Sequence, residues 1–453
     1  YAGAFGRTPL RRVAFPSTLC LIGAWTFYEC RRLRRATFAA GSVLKRIGEW
    51  AFSNCGLTSI CFPEALETIG RNAFMWSGLE EATIRGPLKE VGLNAFANCT
   101  RLVIYADEDW GVSLINAGIY NPARVGPPSG TSVGGTKVWD LREQKTIIIP
   151  DGAERIGSRW FWGCEAENVT IPTSVREIGI DAFSNCKSLM RVLFQTGSRL
   201  EKIGSGCFYN SALEEITVPR SVVEIQENAF KYCRSLREIA FEEGSALRTI
   251  GASAFNNCAD IKSVRLPEGL EVIGDASFLC CGLEEVAIPS SVTVIERLAF
   301  QHCKDLRKVS FREGSALRKI GCWCFSATAL EEFVASPGLR EIDGAAFYCC
   351  RGLKRVVLNE GLEEIRDYYD GPRYIGAFED VEIREVTLPS TLRRIDRNAF
   401  QSCYGLQTIY VRGGCEADLS RLAVYDPTKV CPTPETMLGG VSVQGLREQR
   451  RVA

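Results

Sequence analysis

"LEEVAIPSSVTVIERLAFQHC", residues 283–303, decides the fold. Its apolar positions are Leu283, Val286, Ile288, Val292, Ile295, Ala299, Phe300 and Cys303. The first part has the form L-x-x-V-x-I, whose last positions alternate as in a short strand with one buried face. Pro289 closes that strand, because a proline has no N–H to give a ladder. The return half, "SVTVIERLAF", has too few residues for a long helix. It reads as a second short strand followed by a helical turn that carries Phe300.

Working outward, a small residue followed by Phe recurs along the chain. The anchors are Phe5, Phe27, Phe52, Phe74 and Phe96, then Phe161, Phe183, Phe208, Phe230, Phe255, Phe278, Phe300, Phe325, Phe347, Phe378 and Phe400. Most steps are 22 or 25 residues, one is 23, and two are longer, after Phe96 and after Phe347. Pro16, Pro63, Pro150, Pro172, Pro219, Pro267 and Pro389 sit where Pro289 does, and in the longer beats a Gly-Ser turn takes the corner, as in "FEEGSALRTIG" from Phe241. A unit this short cannot enclose a core, but stacked copies bury one another's inward faces. The sequence therefore predicts an α/β repeat solenoid of leucine-rich repeat type. It should be β-rich, a parallel strand stack with coils of 22 to 25 residues and a rise of roughly 4.8 Å per coil.

The L-x-x-I-x-I-P, V-x-x-I-G-x-x-A-F and x-x-C elements together resemble the BspA-like leucine-rich repeat family over about four fifths of the chain. That resemblance implies a curved solenoid without a catalytic site, and roles in cell-surface adhesion and recognition of host or matrix proteins.

The gap after Phe96 holds "IYADEDWGVSLINAGIYNPARVGPPSGTSVGGTKVWDLREQ", residues 104–144, and a related stretch follows 305 residues later without any gap in the alignment. Terminal coils need covers for their apolar faces. The division expected is an array over 1–99, a capping or spacer module over 100–144, a second array over 145–403 and a second copy of the module over 404–453. The first module is either a cap or a spacer that lets one solenoid bend. Tyr1 already lies inside a coil, so the sequence reads as a piece of a longer chain.

Lys plus Arg equals Asp plus Glu, 54 each, which argues against a general nucleic-acid binder. No apolar run is long enough to span a membrane. On the strand face the residues before the central apolar position are Arg191, Glu215, Glu238, Ser263, Glu285, Lys308, Glu332, Arg355 and Glu385. Neighbours there are about 5 Å apart, so opposite signs neutralise one another. Eleven of the 20 cysteines, at 30, 55, 99, 164, 186, 233, 258, 281, 303, 350 and 403, stand three residues after the anchor Phe. That spacing reads as a ladder of small buried thiols, because side chains stacked at the strand spacing stand slightly too far apart for a disulfide.

Catalytic chemistry finds no support. His302 is the only histidine and reads as a surface residue. "GCWCF" at 321–325 has no second cysteine pair for zinc. "GGTK" at 134–137 lacks the phosphate-loop spacing. No metal or cofactor is implied. Sequons at Asn98 and Asn168 are short enough to arise by accident.

Departures from the beat are where a partner would be read. The step from Phe347 to Phe378 contains "DYYDGPRY", residues 367–374, which places Tyr368, Tyr369, Arg373 and Tyr374 on a loop that should project beyond its coil. A tolerated insertion is the plain alternative. Trp25 and Trp50 precede consecutive anchors by two residues, close in sequence to the basic run that includes Arg35. Asn72, Asn94, Asp181 and Asn228 hold that position elsewhere, so it should be exposed, and two exposed indoles beside Arg35 would form an apolar and cationic patch. Trp323 shares the position alone. The function expected is a non-enzymatic protein-recognition or adhesion scaffold at the cell surface or secreted; the alternative is an intracellular assembly scaffold.

Overall fold

The computed structural model describes residues 2–86, 88–106, 117–119, 125–127, 130–424, 430–432, 437–438 and 441–442. It is a parallel-strand solenoid in two compact units, one of residues 1–167 with 179–188, the other of residues 168–178 with 189–453. In the quoted beat the inward positions read from the sequence are the buried ones. Glu285–Ile288 and Val294–Ile295 are strands, and Leu283, Val286, Ile288, Val292, Ile295, Ala299, Phe300 and Cys303 are all buried.

In the first unit Arg12–Phe15, Arg35–Phe38, Ser59–Cys61, Glu81–Ile84, Val103–Ala106 and Val125–Gly126 lie side by side in chain order, each parallel to the next. Leu21–Ile22, Arg46–Ile47, Thr68–Ile69 and Glu90–Val91 form the second row. In the second unit the short row runs unbroken from Glu177–Ile178 to Arg394–Ile395. The long row is divided into three sheets, with breaks between Glu238–Phe241 and Ser263–Val264 and again between Lys308–Phe311 and Glu332–Val334. The charge ladder expected on that face is therefore interrupted. Arg191 pairs with Glu215 at 3.4 Å and Arg355 with Glu332, while Glu238 and Ser263 fall on opposite sides of a break.

Within each unit, anchor phenylalanines of successive coils stack on one another, as Phe161 does on Phe183 and Phe208 on Phe230. Phe300 lies between Phe278 and Phe325, ring centroids 5.4 Å from each and ring planes nearly parallel. Every anchor from Phe27 to Phe400 is buried; Phe5 is 47% exposed.

The expected helical turn at the anchor is absent. Among the described residues the one α-helix is Val138–Arg142, and the anchors ride on turns. From Phe5 to Phe347 each turn has a left-handed residue two positions before the Phe and another two after it, as at Leu298 (φ 62°) and His302 (φ 58°), whereas the turns of Phe378 and Phe400 keep only the later one, Asp380 and Ser402. These residues orient alternate N–H groups along the stack, so that Leu298, Phe300 and His302 donate to Cys322, Cys324 and Ser326 of the next coil at 2.8 to 2.9 Å. A left-handed residue explains the asparagines that looked like markers of exposure: Asn72 is 4% exposed and Asn94, Asp181 and Asn228 are half-buried. Asparagine tolerates that backbone better than most residues. The Asn98 sequon has the same origin, since Asn98 (φ 63°) fills the left-handed site and Cys99 the thiol site next to it.

Two gap modules fold alike where both are described. Val125–Gly126 and Val430–Pro432 each add a parallel strand to the long row, and each is followed by a small antiparallel hairpin, Ser132–Val133 with Thr136–Lys137 and Met437–Leu438 with Val441–Ser442. Much of residues 100–144 and 404–453, on which the cap or spacer reading falls, lies outside the described residues.

Candidate functional site

The insertion after Phe347 is a hairpin. Asp367–Tyr369 and Tyr374–Gly376 pair antiparallel, with Tyr369 opposite Tyr374, and the N–H of Asp370 closes the turn on the carbonyl of Arg373 at 2.9 Å. Gly371 takes φ 81° in that turn, where a side chain would be strained. The hairpin is fastened at its base. The Asp367 N–H donates to Asp396 Oδ2 at 2.9 Å, and Asp367 Oδ2 accepts from the Asn398 backbone and side-chain nitrogens at 3.1 and 3.0 Å. The hairpin lies so close to the coil that a Cβ on Gly344 would come within 1.9 Å of the Tyr368 nitrogen.

The four residues singled out on this insertion separate into two pairs. Tyr369 and Tyr374 project, each 57% exposed, with their rings 4.9 Å apart. Tyr368 turns back to meet Trp323 edge to face at 5.8 Å, and Trp323 meets Tyr348 at 5.4 Å. Trp323 thus belongs to the hairpin's footing and is not the isolated residue its position suggested. Arg373 pairs with the buried Glu379 at 3.2 Å and donates to the Tyr348 hydroxyl at 3.1 Å. Glu379 also accepts from the Gly376 N–H at 3.0 Å. Burial pushes the Asp367 carboxyl up to about 6, its hydrogen bonds from Asn398 acting in the opposite sense. The hydrogen bond to Tyr348, then the charge of Glu379, raises the Arg373 guanidinium further.

Trp25 and Trp50 stack on each other at 5.0 Å, 11° apart, with Tyr28 against Trp25 edge to face at 4.9 Å. Trp25 is 41% exposed, and one coil back its position is held by Gly3, which has no side chain to cover the indole. Both indoles sit at left-handed positions on the turns, φ 61° and 56°. Arg35 is elsewhere in the coil, exposed at the start of the long strand Arg35–Phe38 and in register with Arg12.

No disulfide joins the register cysteines or any other of the nineteen cysteines whose side chains are described. Their thiols have a specific role that the residue pattern did not reveal. Cys30, Cys55, Cys99, Cys186, Cys233, Cys258, Cys281, Cys303, Cys350 and Cys403 each donate to the carbonyl of the anchor Phe of the preceding coil, at 2.9 to 3.2 Å. His302 is exposed on its turn. Among the described residues no group of three or more His, Cys, Asp or Glu is arranged to hold a metal ion, and no helix is long and apolar enough to cross a membrane.

Residues 1–108, 154–282, 271–407 and 373–417 match the family model of the BspA type leucine rich repeat region, in six copies. Among curated proteins none matches the sequence. Similar solved structures include the pneumococcal vaccine antigen PcpA, 19% identical over 69% of this chain and 87% of that one, with a TM-score of 0.39. A leucine-rich repeat protein from Bacteroides ovatus is 21% identical over 94% of this chain and 84% of that one, TM-score 0.36. A leucine rich cell surface protein from Faecalibacterium prausnitzii is 22% identical over 89% and 88%, TM-score 0.35. With the family model matching well over half of its residues, the chain belongs to the BspA-type leucine-rich repeat family.

Proposed function

We propose that this protein is a non-enzymatic protein-recognition or adhesion scaffold, at the cell surface or secreted, that presents the 367–376 hairpin to a protein partner. The observation that carries the reading is the exposed Tyr369–Tyr374 pair on a footing that is otherwise buried or braced. Tyrosine supplies a large contact area with few rotatable bonds, and a braced hairpin has little order left to gain on binding. Affinity capture with the full chain and with a Tyr369→Ala/Tyr374→Ala variant tests it. A partner held by the native chain should be weakened by over about 1 kcal/mol in the variant, with the thermal midpoint nearly unchanged. Capture that survives the double substitution removes the hairpin from the reading, and the Trp25–Trp50 stack becomes the candidate surface.

The thiol ladder favours a second reading, an intracellular assembly scaffold, because its hydrogen bonds require the cysteines to keep their protons. Protease accessibility on intact cells of the source organism separates the two: cleavage at the surface supports the first, protection the second.

A further inference from the structure

Cys164 and Cys186 depart from the ladder they belong to. Their sulfurs meet directly, Sγ to Sγ 3.4 Å, while Cys186 also reaches the Phe161 carbonyl at 3.1 Å. Arg142, from the helix Val138–Arg142, brings a guanidinium to the same place. It is 7% exposed, donates to the carbonyls of Trp160 and Trp162 at 2.6 and 2.9 Å, and lies 4.7 Å over the Trp139 ring. Both sulfurs lie in the field of this buried positive charge. By contrast Cys258, Cys281 and Cys303, on consecutive coils, each engage a Phe carbonyl in the ordinary way.

We propose that Cys164 and Cys186 are a redox pair that a hydroperoxide converts into a disulfide joining two successive coils. The Cys164 thiolate attacks one peroxide oxygen and the O–O bond breaks. This leaves a sulfenic acid on Cys164, and the departing oxygen takes up a proton as water or an alcohol. The Cys186 sulfur then attacks the Cys164 sulfur, the S–O bond breaks, and the hydroxide leaves as water with the Cys186 proton. Two thiols lose two electrons in all, and one hydroperoxide gains them.

The roles of the two cysteines follow from their surroundings. Cys164 keeps 3% of its surface and Cys186 none, so a small oxidant meets Cys164 first. Cys55 and Cys403 keep about as much surface, 4% each, but burial pushes their thiols up to about 12. Cys164 is instead held down, against its own burial, first by its contact with the Cys186 thiol and then by the Ala166 backbone N–H and the charge of Arg142. Burial drives Cys186 the other way, which suits the resolving thiol. Stacked coils hold the two Cβ atoms near the strand spacing, longer than a relaxed disulfide prefers, so a thiol reductant should reopen the bond readily.

The experiment treats the folded full chain at neutral pH with hydrogen peroxide at limiting dose, quenches in denaturant with N-ethylmaleimide, and maps peptides by mass spectrometry. A linked pair containing Cys164 and Cys186 should accumulate while Cys258, Cys281 and Cys303 are recovered alkylated, at least about tenfold slower to oxidise. In Cys186→Ser the sulfenic acid at Cys164 should persist and be captured by dimedone. Arg142→Gln should slow the reaction and move the midpoint of pH-dependent Cys164 alkylation upward; if circular dichroism shows that variant unfolded, the Cys186→Ser capture decides alone. Oxidation of Cys164 no faster than that of Cys258, or linkage scattered among the register cysteines, would overturn the proposal.

Discussion

Cys303 donates its thiol hydrogen to the carbonyl of Phe278, 3.1 Å away and one coil back. The same bond recurs from coil to coil, so the cysteine serves as a donor as well as a small apolar filler. Cys303→Ala should cost about 1 to 2 kcal/mol, from the lost bond and the small void together. Cys303→Thr should cost less, because threonine keeps the volume, and its hydroxyl can turn to the anchor carbonyl of its own coil, as Thr328 does to Phe325 at 2.8 Å, although the bond to Phe278 is given up. Urea midpoints of the two variants check this, and an alanine variant no less stable than the threonine variant would contradict it.

The sequence made the solenoid legible because burial repeats with the beat. Leu283, Val286, Ile288 and Phe300 needed only their apolar character and spacing to be placed inside. The turn geometry was hidden because a left-handed residue has no apolar signature. Its trace was the recurrence of asparagine two places before or after the anchor, as at Asn72, Asn94, Asn54 and Asn98, and that trace is blurred by Trp25, Leu298 and Tyr232 in the same positions. The hairpin's tyrosines were visible as an insertion. Which of them face outward was not, because that depends on Trp323, Tyr348 and Glu379, which approach from other parts of the sequence.

Left-handed turn positions make a direct prediction. Ala327 has φ 57° and Asn98 φ 63°. Ala327→Gly should stabilise the protein and Asn98→Val should destabilise it, each by about 1 kcal/mol or somewhat more, because a β-branched side chain crowds the carbonyl in this region and glycine does not. Thermal melts of the two variants should shift in opposite directions. Two shifts of the same sign would contradict the turn geometry.

Asp367 gives the hairpin a pH dependence. The carboxyl ionises near 3.8 in the unfolded chain and, pushed up by burial, only at about 6 in the folded one. Between those values the folded form binds more protons, so this group's contribution is fully present below the lower value and lost as pH rises through the upper one. Hydrogen exchange of the hairpin amides, corrected for intrinsic rates, should show stronger protection near pH 5 than near pH 7.5. The difference should stay under about 1 kcal/mol because solvent reaches the site. Asp367→Asn should raise protection at the higher pH and flatten the profile; a profile unchanged by that substitution would assign the pH dependence to another group.

Arg373 and Glu379 make the last test, because they separate holding the hairpin from presenting it. The Glu379 side chain is 3% exposed, with one oxygen on Arg373 and the other on the Gly376 N–H, whereas half of the Arg373 side chain faces solvent. Removing the arginine leaves a buried carboxylate with only a backbone donor, so Arg373→Ala should cost the hairpin about 1 to 3 kcal/mol. Adding Glu379→Gln should restore part of that loss, since the amide carries no charge to compensate and can still accept from Gly376. Arg373→Lys keeps the charge but not the fork that spans Glu379 and Tyr348, and should fall between the two. Tyr369→Ala and Tyr374→Ala, at exposed positions, should stay within about 0.5 kcal/mol of the native chain. Exchange rates at Tyr368 and Ile375, which face each other in the ladder and are substituted in none of the variants, read all five. If Arg373→Ala leaves those rates unchanged, the brace is not what holds the hairpin, and its footing must rest on Asp367, Asp396 and the Tyr368–Trp323 contact.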